Sequence, residues 1–153
     1  MEHWRQTYRV PAKITLTTGV IFEGDLHLQT ASAAHFGGER PVEMLNREER
    51  FFPVSLESGG IELVGKEQIA VVTCDSSLWE IDSQRRAISK RFLLDIHMAG
   101  GQHVSGSSWW ELPPTHPRLQ DFLNAAADFF EVYEGGLNHS VNRALVAHVN
   151  PFD

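Results

Sequence analysis

The chain has 153 residues, 42% of them hydrophobic, with a formal net charge of −7 and one cysteine, Cys74. Those values exclude a disordered polyelectrolyte and an internal disulfide, and they oppose non-specific attraction to nucleic acid or anionic membrane. No apolar run approaches the roughly 20 residues that span a bilayer, and the start, MEHWRQTYRV, lacks the apolar centre of a signal peptide, so a cytoplasmic protein is expected.

In chain order, Val10, Ala12, Ile14 and Leu16 alternate with polar residues and proline, the period of a strand with one buried face. Pro11 places that stretch at an edge or at the beginning of a ladder. Thr18-Gly19 makes a tight turn, and a return strand follows from Ile21 to Leu28. Gly24 inside it marks a bulge or sharp bend. A turn-rich loop around His35-Phe36-Gly37-Gly38 leads to a short helix, in which Val42 and Leu45 have helical spacing. Phe52 and Val54 then form the inner face of another strand, with Phe51 pointing the opposite way. Gly65-Lys66 turns into a closing β-branched strand, Ile69 to Val72.

The whole order is then repeated. Arg9–Gly24 matches Arg91–Gly106, Arg40–Val54 matches Arg118–Val132, and Val64–Val72 matches Val141–Val149, with 13 identities in 40 aligned positions. Phe92, Leu94, Ile96 and Met98 keep the inward phase of the first strand, Gly100-Gly101 its turn and Gly106 its inner glycine. A tandem duplication sets the organisation: residues 1–75 a first unit, 76–90 an ordered connector carrying Trp79 and Ile81, and 91–153 a second unit. Each unit has roughly 70 residues, near the lower limit for an independent core, so the two are expected to lean on each other.

The string KITLTTGVIFEGDL resembles the first motif of Sm-like proteins through Ile14, Leu16, Gly19, Phe22, Gly24 and Leu26. VGKEQIAVV is similar to the second Sm motif through Val64, Gly65, Lys66, Ile69 and Val72, as are Val141, Asn142, Arg143, Val146 and Val149 in the second copy. The resemblance covers about half of each repeat. It implies a mainly β fold with short helices: two tandem small Sm-like β-barrels packed as an internal pseudo-dimer, of the kind found in uncharacterised bacterial domains.

The chemistry-bearing patterns are few. No phosphate-cradling loop, nucleophile elbow or metalloprotease helix is present, so no catalytic residue, enzyme activity or cofactor is expected. His97 and His103 flank a hairpin turn, but two ligands do not make a zinc site, and no metal is expected. Phe51, Phe129, Trp109 and Trp110 are the candidate partner interface: adjacent aromatics on one strand cannot all enter one core, and exposed tryptophan favours interface hot spots. The expected function is therefore a non-catalytic protein-interaction or regulatory module, with no membrane role and with homo-oligomers possible through an exposed strand edge. The alternative, an Sm-like RNA-binding protein, would use Lys66 and Arg143 with Asn46 and Asn124. The plainer role of those asparagines, recurring as Leu-Asn, is to cap turns. Cys74 reads as an inert thiol near a strand end.

Overall fold

A computed structural model of the protein describes residues 6–30, 37–75, 87–111 and 113–151. Two five-strand units follow one another. The first contains β1 (Thr7–Leu16), β2 (Ile21–Gln29), α1 (Pro41–Leu45), β3 (Phe51–Leu56), β4 (Ile61–Gly65) and β5 (Ile69–Asp75). The second contains β6 (Ser89–Met98), β7 (His103–Glu111), α2 (Leu119–Ala125), β8 (Phe129–Glu134), β9 (Leu137–Asn142) and β10 (Val146–Pro151). A 3₁₀ turn, Lys66–Gln68 or Arg143–Leu145, precedes each closing strand. The connector residues Trp79 and Ile81, and the loop residues His35 and Phe36, lie outside the described residues.

The alternation read from the sequence is what buries the core. Val10, Ala12 and Ile14 on β1 and Phe92, Leu94 and Ile96 on β6 point inward. Ile14 and Ile96 are both fully buried, as are Val54 and Val132. Burying one such isoleucine or valine is worth about 2 kcal/mol. Gly24 and Gly106 also serve one purpose. A Cβ at Gly24 would stand 2.6 Å from the Ser55 carbonyl oxygen, and one at Gly106 would stand 2.3 Å from that of Tyr133. Ser55 and Tyr133 are themselves equivalent positions. Each glycine lets the next strand cross close to it, as a strongly bent sheet requires.

Both helices are short and begin alike. The backbone N–H of Arg40 donates to Glu43 (2.9 Å), and that of Arg118 donates to Asp121 (3.2 Å), so a carboxylate in the first turn satisfies an otherwise open donor. Among the described residues, no helix is long and apolar enough to cross a membrane.

The mainly β expectation holds: the ten described strands form one open antiparallel sheet, ordered β10-β6-β7-β8-β9-β5-β1-β2-β3-β4. Read by repeat, each unit has its fifth strand beside its first, and the units are joined where β9 pairs with β5, Val71 opposite Val141 and Cys74 opposite Asn138. A strand absent from the sequence reading, β4, completes the first unit by pairing with β3 through the Glu57–Gly60 turn. Pro11 is tolerated because the β1·β5 pairing begins at Lys13, leaving that end of β1 with a partner on one side only.

Among the described residues there are two hydrophobic clusters, and each borrows from the other unit. The first runs from Val10 to Cys74 but includes Phe129; the second runs from Phe92 to Val141 but includes Ala70 and Val71.

Candidate functional site

The join between the units shows what this fold does with a strand edge. Asn46, at the end of α1, uses its amide as a strand would: Nδ2 donates to the Phe129 carbonyl (3.0 Å), and the Phe129 N–H donates to Oδ1 (2.8 Å). Arg40 reaches over the same join and donates to Glu131 (2.6 Å) and to the Tyr133 hydroxyl (2.5 Å). Asn142 donates to the Ile69 carbonyl (2.9 Å), and Thr73 meets His139 at 2.8 Å. Phe129 is 4% exposed beneath this frame. As a candidate interface residue it therefore lies in the join between the two units and not on the open surface.

Its equivalent, Phe51, is 63% exposed. It stands on β3 opposite Gly65, with Pro53 opposite Leu63 and Ser55 opposite Ile61. Ile61 and Leu63 are 65% and 69% exposed, so the outer face of this terminal hairpin is an apolar strip. Among the described residues, the strip runs along an open edge. The Leu56 N–H donates to Gly60 and the Lys66 N–H donates to Arg50, which fixes the alternation of the ladder. Glu62 and Val64 consequently bond to β3, while Ile61, Leu63 and Gly65 turn their backbone groups outward. The equivalent positions on β9 are Asn138, Ser140 and Asn142, which face β5.

The tryptophans are placed differently. Trp110 is half-buried and packs on Phe122, with ring centroids 5.9 Å apart. Trp109 is half-buried too, lies 5.8 Å from the Arg91 guanidinium and lines a surface groove with Arg40, Phe122, Phe130, Glu131 and Tyr133. Neither stands fully free of the protein.

The residues of the RNA reading do not converge on one surface. Lys66 is buried, and its ammonium donates to the carbonyls of Met44 (3.0 Å) and Arg47 (3.1 Å), closing the end of α1; burial holds its pKa below the usual lysine value. Arg143 donates in the same way to the carbonyls of Leu123 and Asn124, both at 3.2 Å. Asn46 is engaged with Phe129, and Asn124 is exposed.

His97 and His103 do meet across their hairpin, and a residue that the sequence reading left aside lies between them. Asp95 shares their face, because residues two apart on a strand point the same way. That period was the available signal.

Burial rather than partnership sets the two largest displaced titrations. Burial pushes the Cys74 thiol up to about 12, and burial together with Glu131 pushes the Tyr133 hydroxyl up to about 12. Both groups keep their protons in the folded chain at pH values where the unfolded chain has lost them, from 9.0 and 10.0 respectively. Stability is therefore expected to fall as pH rises above 9, by about 1.4 kcal/mol per pH unit for the Cys74 proton alone. Urea midpoints measured across that range should show the slope, and Cys74→Ala should flatten it; an unchanged slope would contradict this assignment.

No family model matches the chain, and no curated protein or solved structure matches it.

Proposed function

We propose that the protein is a non-catalytic interaction module, a pair of Sm-like β units that engages a protein partner along the open β4 edge. The observation that carries this reading is the contrast between Phe51 and Phe129. One residue type at one position of the repeat is covered by a neighbouring unit in one copy and stands in solvent in the other. The outward groups of Ile61, Leu63 and Gly65 offer main-chain bonds to an incoming strand, and the apolar strip beside them offers side-chain contact.

The partner that best matches this edge is the far end of a second copy. That end carries α2 and β10, the counterparts of the α1 and β5 that receive Phe129 and β9 within the chain. Asn124, the counterpart of Asn46, is exposed there. Carrying the β5·β9 register over places Leu63 opposite Val149 and Ile61 opposite Pro151, which has no N–H to give, so the contact has one main-chain bond fewer than its internal model. Ile61 and Leu63 stand where β9 has Asn138 and Ser140, so it is also more apolar. Such a head-to-tail contact builds closed rings or open filaments.

Sedimentation velocity over a concentration series tests the reading. Wild-type protein is expected to grow in mass with concentration, and Phe51→Ser and Leu63→Pro are each expected to hold it as a monomer. Leu63→Pro removes an outward donor without touching the β3·β4 bonds. A wild type that remains monomeric, or association indifferent to both changes, would sink it. The RNA alternative predicts retention of oligo-uridine in filter binding with steep salt dependence; the present reading predicts none.

A further inference from the structure

We propose that Asp95, His97 and His103 form a binding site for one first-row divalent metal ion of the zinc type. The three side chains are brought together by strand register alone. Asp95 and His97 are two apart on β6, and β7 sets Ser105 opposite Asp95 and His103 opposite His97. Adjacent β10 sets His148 opposite His97. One carboxylate oxygen and one nitrogen from each imidazole all lie within 4.8 Å of one another. Both Nε2 atoms address the same carboxylate, His103 at Oδ1 and His97 at Oδ2, the latter at 3.4 Å. A tetrahedral zinc ion with bonds of about 2.1 Å separates its ligand atoms by about 3.4 Å, so small side-chain rotations close the set around an ion.

The groups around these three orient them as the outer groups of a metal site do. The Ser105 hydroxyl donates to Asp95 at 2.8 Å. The His148 ring stacks on His97, centroids 4.4 Å apart and planes 20° from parallel, while His97 and His103 are 4.7 Å apart. A ligand whose ring is fixed by a neighbour loses less freedom on binding. A simple ion pair accounts for Asp95 and His103 but gives no role to a second and a third imidazole in the same row. Two nitrogens and a carboxylate suit a borderline cation better than calcium or magnesium, which take oxygen ligands. Three protein ligands leave a position for water or for an incoming group.

The comparison between the repeats supports the same conclusion independently. In the first copy the five positions are Lys13, Thr15, Ile21, Glu23 and Val71. None of that set could form the cluster. Asp95, His97 and His103 are 27%, 37% and 52% exposed, so core packing does not dictate them, yet in the second copy they are all ligand types. The site belongs to one repeat and faces solvent, where an ion can enter.

The test is titration of untagged protein with Co²⁺ and with Zn²⁺, followed by cobalt ligand-field absorption and by calorimetry. One ion per chain is expected, with affinity falling about tenfold or more in His97→Ala and in His103→Ala, and unchanged in His27→Gln on the first repeat. Circular dichroism of the metal-free variants should match wild type, which separates loss of ligands from loss of fold. Equal affinity in the His97→Ala/His103→Ala double variant, or less than one ion bound per wild-type chain at saturation, would overturn the proposal.

Discussion

Replacing Gly106 with alanine is expected to lower the unfolding free energy by about 3 kcal/mol. The added methyl would sit 2.3 Å from the Tyr133 carbonyl oxygen and 2.9 Å from a Val132 methyl. Backbone stands in the way, so no rotamer change relieves the clash, and β7 is tied to β8 at that level by the pairing of Ser107 with Tyr133. Gly24→Ala should cost nearly the same, because its methyl meets Ser55 backbone and a Val54 methyl at 2.6 and 2.7 Å. Gly136, with open space around it, can become alanine at little cost. Urea denaturation of the three variants gives the ordering. Losses under about 1 kcal/mol at both Gly24 and Gly106 would mean that the sheet does not bend by close approach at these strands.

Arg40→Ala is expected to cost about 2–4 kcal/mol, and Arg118→Ala far less. The two arginines begin equivalent helices, so helix propensity and capping nearly cancel in the comparison. They differ in where the guanidinium goes. That of Arg40 is 11% exposed and pairs with Glu131, itself 20% exposed, across the join. Removing it leaves a largely desolvated carboxylate with Asn138 (3.1 Å) and the Tyr133 hydroxyl (3.3 Å) as its remaining donors. Arg118 is 71% exposed and turns back on Asp121 in its own helix. Thermal and urea unfolding of both variants decides the matter. Adding Glu131→Gln to Arg40→Ala should recover part of the loss, because the stranded charge is then gone. Equal effects at the two arginines would show that the join draws little stability from this pair.

The strands that alternate cleanly were legible in the chain itself. Ile14 and Ile96 declare their buried face by period two, and Gly19 and Gly101 mark the hairpin turns. Their φ values are both +93°, a conformation that costs glycine little. β4 was harder to read because Ile61 and Leu63 are apolar on the face that points away from the core, which blurs its alternation. The pairing of β5 with β9 was not legible at all. Local sequence specifies which face of a strand is buried, not which distant edge it meets, and Val71 and Val141 are far apart along the chain. Phe51 and Phe129 show the limit most sharply. Both stand in the same Phe-Phe pair, and only the neighbour over each one decides which is buried. Lys66, Arg143 and Asn46 looked available for a nucleic acid because their residue types are; the helix-end carbonyls and the Phe129 backbone that engage them could be found only in three dimensions. Asp95 comes to stand beside two imidazoles through the β6·β7 register, which local sequence does not specify.

Carrying two five-strand units on one chain has a consequence for what each can become. Identical subunits meeting head to tail must carry both sides of every contact, so any change on one side appears in all of them at once. Here the contact between β5 and β9 occurs once per chain, and its two sides are encoded separately. Arg40 meets Glu131 and Tyr133 across that seam, while Arg118 turns back on Asp121 in its own helix. One chain carrying both units can therefore fix its inner seam independently of its two outer edges, which a single self-associating unit cannot.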